Sequence, residues 1–133
     1  MSEKSMAPEE TLDEYFQRKP NTKEFHLLLN RLLNERGIDN PTAYKKAGID
    51  RKTWSKLISN VNQRPTKRNV CAIAIALELN YKDCKALVKS AGYILNRDPF
   101  DLVIRYCIDH HIYDPMEVDA LLIEKGLKPL FSL

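Results

Sequence analysis

The chain has 133 residues, 44% hydrophobic and 29% charged, with a formal net charge of +3. That length and composition fit one folded domain with one sizeable core and exclude a disordered chain. No apolar run reaches the roughly 18–20 residues of a membrane span, and the acidic N-terminus MSEKSMAPEETLDEYF lacks the apolar stretch of a secretory signal, so a cytoplasmic protein is expected.

Residues 1–20 read as an N-terminal arm ending at Pro20, with one short helix around Leu12–Gln17. Asn21 or Thr22 caps the next helix, FHLLLNRLLNERG. There Phe25, Leu28, Leu29 and Leu32 recur at three and four, and Gly37 supplies the stop. Asn40 is expected as the N-cap of a short helix with Pro41 at its first position, ended by Gly48. Asp50 caps the following helix, which runs to about Asn60. It buries Trp54, Leu57 and Ile58 and turns Arg51, Lys52, Ser55, Lys56 and Ser59 mostly outward.

After the loop VNQRPTKR, Thr66 caps a helix over roughly Lys67–Leu79, whose Ala72, Ala74 and Ala76 suit close helix approach. A fifth helix covers about Tyr81–Ala91 and stops at Gly92. Residues 93–133 form a C-terminal helical extension. DPFDLVIRYCIDH makes one helix, with Pro99 in its first turn, and Asp114-Pro115 starts another that ends near Gly126. VIRYCI alone could be a strand, but its flanks favour helix. The apolar tail KPLFSL is expected to pack back. The fold class is all-α, divided as arm 1–20, domain 21–92 and extension 93–133.

The charge is unevenly spread. Residues 40–70 hold eight basic residues against one acidic, whereas residues 98–133 hold seven acidic against three basic. The two helices joined across Ala47-Gly48-Ile49-Asp50 make a helix-turn-helix pattern, with Ile49 plugging the turn. Trp54 and Leu57 anchor the second helix and free its basic N-terminal end for a groove. Base contacts are expected from Arg51, Lys52, Lys56 and Ser55, arginine best matching the paired acceptors of guanine. Backbone contacts are expected from Asn40, Lys45, Lys46, Thr53, Asn60, Asn62, Arg64, Lys67 and Arg68, which position without reading sequence.

Residues 25–92, through NPTAYKKAGIDRKTWSKLISN and RPTKRNVCAIAIALELNYKDCKALVKSAG, resemble the lambda-repressor-like, or XRE-type, helix-turn-helix domain. The resemblance implies a five-helix bundle that binds operator DNA, commonly as a homodimer, here with a two-helix C-terminal extension. Its recognition helix falls on Arg51–Ser59, its first-helix polar contact near Asn40, and its backbone contacts on the loop 60–68. The chain departs from the family with Asn40 for Gln, Tyr44 for Ala, Ile58 for Glu and Asn60 for Gly. The expected function is therefore sequence-specific double-stranded DNA binding in transcriptional repression, with a protein-interaction or adaptor module as the alternative.

The extension carries too many apolar residues for two helices to bury alone. They cover the core, meet a second copy in a homodimer through residues 98–133, or both; the acidic tail could also mask the basic face. Asp109-His110-His111 with Asp114 has ligand chemistry but reads as a polar helix end, so no metal and no cofactor are expected. Cys71, Cys84 and Cys107, separated by 13 and 23 residues, match no zinc or redox spacing, and Cys71 reads as a small core residue. No nucleophile has a partner set at usable spacing, so no enzyme activity is expected.

Overall fold

The computed structural model describes residues 11–17, 23–59 and 63–131. Among these are eight helices and no strand: α1 (Leu12–Gln17), α2 (Lys23–Arg36), α3 (Asn40–Ala47), α4 (Arg51–Ser59), α5 (Lys67–Ala76), α6 (Tyr81–Ser90), α7 (Pro99–Asp109) and α8 (Pro115–Glu124). The candidate caps Asn21 and Thr22 lie outside the described residues. No helix among the described residues is long and apolar enough to cross a membrane.

The core is built around α5. Every residue from Val70 to Leu77 is buried, as expected of a helix apolar on all sides. α3 packs on one side of α5 and α6 on another, while α2 reaches α6 and α4. Ala43 and Ala47 on α3, and the three alanines of α5, are buried and small, so the helices approach closely. Thr66 caps α5 as expected, accepting from Asn69 N at 3.1 Å. The helix stops at Ala76 rather than Leu79, because Glu78 turns into the left-handed region at φ 54° and Leu79 N donates back to Ala74 O.

One cap differs from the sequence expectation. Asp39, not Asn40, is the N-cap of α3; it accepts from Thr42 N at 2.9 Å and shifts Asn40 and Pro41 one place into the helix. Both residue types cap well. The one with extended backbone takes the role, and that is Asp39, at ψ 168°.

α7 and α8 pack on each other, and α7 reaches α6. Their inner residues Ile104, Cys107, Ile108, Val118 and Leu122 join the same core as α2–α6. Tyr113 fastens the link between them, its hydroxyl donating to Leu79 O at 3.0 Å. The His110 ring lies tilted against Tyr106, with centroids 4.3 Å apart, and His111 holds the helix-ending turn at φ 55°. All three cysteines are free and buried. Burial pushes the thiols of Cys71 and Cys84 up to about 12 and that of Cys107 to about 11, so they stay protonated.

Candidate nucleic-acid interface

The turn between α3 and α4 is closed by backbone hydrogen bonds and one buried side chain. Gly48 sits at φ 69°, a conformation that costs glycine little. Gly48 N donates to Lys45 O at 3.2 Å, and Ile49 N donates to Tyr44 O at 2.9 Å. The Ile49 side chain is buried. Asp50 then caps α4, accepting from Thr53 N at 2.8 Å and from the Thr53 hydroxyl at 3.0 Å. These hydrogen bonds hold the Asp50 carboxyl below its ordinary range, the backbone N–H contributing most, so it stays anionic at neutral pH.

Trp54 and Leu57 are 2% and 3% exposed, and they set the roll of α4. Arg51, Lys52, Ser55, Lys56 and Ser59 consequently stand in solvent on the opposite face. Lys45 and Lys46 are exposed on the neighbouring α3. None of these five cations makes an ion pair among the described residues, although Lys45 is close enough to favour the Asp39 anion. Thr53 is half-buried with its hydroxyl committed to Asp50. Asn40 is exposed, but its Oδ1 accepts from Trp54 Nε1 at 3.2 Å. Ile58 is half-buried; it packs against the core and also lines the space between the two helices.

The loop cations are placed differently. Arg64 donates to Ala91 O at 3.0 Å and Gly92 O at 2.6 Å, and its guanidinium lies 4.0 Å from the centroid of Tyr93. It thus satisfies carbonyls at the end of α6, where a cation is favoured. Gly92 makes room, since a Cβ there would lie 3.2 Å from Arg64 Nη2. Lys67 pairs at 2.8 Å with Asp101, which is 1% exposed and also accepts from Asn96 N. Arg68 donates to Lys128 O and Pro129 O at 3.1 and 2.7 Å, with Phe100 beneath it. A phosphate role for these three has to compete with contacts already made. Asn60 and Asn62 lie outside the described residues.

The extension is pinned beside the turn rather than over α4. Asp119, 3% exposed, accepts from Leu130 N and Phe131 N at 2.7 and 3.0 Å. That bend delivers Phe131 to Gly48, where a Cβ on the glycine would meet the ring at 3.6 Å. The tail packs back as expected, yet it leaves Arg51 and Lys52 exposed, so the described part of the acidic segment does not mask them. Neither the Phe131–Gly48 contact nor the partners of Arg64, Lys67 and Arg68 were foreseeable from spacing. The one local hint was two cations in the first turn of α5, where the helix dipole favours anions.

Among the described residues, no group of three or more His, Cys, Asp or Glu side chains is placed to hold a metal ion. Comparison of the chain with family models, curated proteins and solved structures finds no match in any of the three.

Proposed function

We propose that the chain is a sequence-specific double-stranded DNA-binding protein acting in transcriptional repression, with α3 and α4 as a helix-turn-helix of the lambda-repressor-like kind. In this reading α2–α6 are the five-helix bundle and α7–α8 its extension. The observation that carries it is the group of five exposed cations on α3 and α4, without ion pairs among the described residues, with α4 rolled outward by buried Trp54 and Leu57. Such a surface supplies the salt-sensitive phosphate attraction, and Arg51 supplies a side chain suited to guanine. Arg51, Lys52, Ser55 and Lys56 are the proposed base-reading set. Lys45 and Lys46 are the leading phosphate contacts.

Duplex selection at fixed salt tests this, run with the wild type and with Arg51→Ala/Lys52→Ala. A selected motif lost in the double variant supports the reading. Binding that ignores both sequence and the substitutions overturns it.

A second reading, a protein-interaction module, is favoured by a different surface. α7 and α8 leave an apolar groove of about 610 Å³ between them, lined by Leu102, Val103, Tyr106 and Leu121. Leu102 and Tyr106 are half-exposed, and Ile123 and Met116 more so. A homodimer through residues 98–133 uses the same surface. Sedimentation of the wild type and Tyr106→Glu separates self-association from a monomer with an open groove.

A further inference from the structure

Between α3 and α4 lies an open cleft of about 410 Å³. Its apolar lining is half-buried Tyr44 and Ile58, buried Trp54 and exposed Pro41, with the Tyr44 and Trp54 ring centroids 6.4 Å apart. Its outer lip is polar, formed by exposed Asn40, Arg51 and Ser55. Arg51 lines the cleft, and Lys45, Lys46, Lys52 and Lys56 of the same two helices are exposed and make no ion pair among the described residues, so the charge on α3 and α4 complements a polyanion.

Trp54 decides how Asn40 is presented. The indole N–H donates to Asn40 Oδ1 at 3.2 Å, which turns the amide oxygen inward and leaves the amide N–H groups as the outward face. A bidentate contact with adenine needs both the carbonyl and the amino group of an asparagine. An amide presenting donors matches an acceptor instead. In the major groove, thymine pairs such an acceptor, O4, with an adjacent C5-methyl group. The cleft pairs outward donors with an apolar wall.

Resting on the DNA-binding reading, we propose that this cleft receives the C5-methyl group of a thymine, with Asn40 donating to its O4 and Arg51 reading a neighbouring guanine. A 5-methylcytosine would offer the same methyl. Its amino group, however, would set a donor against the donors of Asn40, so thymine is the base the cleft selects. Tyr44 and Ile58 thereby acquire a specificity role through their apolar surface.

The test is read in the DNA, on the unaltered full chain. A duplex selected by the wild type is remade with each thymine replaced in turn by deoxyuridine, which removes only the methyl group. At one position per half-site the affinity falls about fourfold, the worth of one buried methyl group. Ile58→Ala loses that discrimination at the same position while binding stays dependent on Arg51. Placing 5-methylcytosine there does not restore the affinity. Arg51-dependent binding that no deoxyuridine weakens, a selected motif without thymine, or full rescue by 5-methylcytosine overturns the proposal and leaves the DNA-binding reading standing. Failure to retain any duplex removes both.

Discussion

Lys45, Lys46, Arg51, Lys52 and Lys56 stand in solvent without an ion pair among the described residues, whereas Arg64, Lys67 and Arg68, a few residues on, are bound to oxygens of later segments. In sequence these eight cations form one basic window. In space they form two populations. The first rides on helix faces opposite buried anchors, where no ion pair or carbonyl among the described residues holds it. The second lies at a helix start and the loop before it, within reach of α6, α7 and the tail. Arg64 and Arg68 also lie over the rings of Tyr93 and Phe100. A cation held by hydrogen bonds and a ring has fewer donors left for a phosphate, so the charge count of the window overstates the charge on offer.

The comparison breaks most readily at Asp101. Asp101→Ala leaves Lys67 half-buried without its carboxylate and Asn96 N without its acceptor. It lowers the stability by about 3 kcal/mol in a urea titration, and an unchanged midpoint would show that the bound cations are incidental. Phe131→Ala should cost about 2 kcal/mol, less than a central phenylalanine because the tail can resettle. Hydrogen exchange at Gly48 and Ile49 should quicken with it, since the ring covers the turn.

Salt dependence separates the two populations directly. Lys46→Ala should reduce the log–log salt slope of duplex binding by about one, and Lys67→Met should leave the slope unchanged while lowering stability. Equal slope changes would merge the populations again. Gly48→Ala should cost about 1 kcal/mol in thermal unfolding, because a left-handed φ strains alanine while its methyl group meets Phe131 only at ordinary contact distance.

The smallest effect is expected at His26, on the α2 face below α4. Burial lowers its pKa from the ordinary 6.5, against a hydrogen bond to the Leu57 backbone that raises it, and its Nε2 has no hydrogen-bond partner. Its neutral form is therefore the folded form. As pH falls from above 6.5 towards the lowered folded value, the unfolded chain takes up a proton that the folded chain refuses, and stability declines. Below the folded value this contribution levels off. His26→Phe should flatten the stability–pH curve across that window, and an unchanged curve would mean that the imidazole is not held neutral.

Much of the helix layout was legible locally. Thr66, Asp50 and Asp114 cap where their side chains can reach an N–H three residues ahead, and each does so. The apolar spacing of α2 and α4 placed Phe25, Leu29, Trp54 and Leu57 inside. The exposed side of α4 followed from that burial, because 3.6-residue periodicity ties one face to the other. Asp39 and Asn40 were harder to separate, since both types cap and only backbone dihedrals choose between them. Ile58 reads as core by spacing alone, and it does pack against the core, but it also lines the cleft between α3 and α4, which spacing did not indicate.

Local chemistry determined the helical class, most of the caps and the outward cations of α3 and α4, since these depend on neighbours within four residues. Tertiary structure alone decided that Arg64, Lys67 and Arg68 are bound, that Asn40 turns its donors outward under Trp54, and that Phe131 closes on Gly48. Those contacts join residues 14 to 83 positions apart, and whether they meet depends on how whole helices pack.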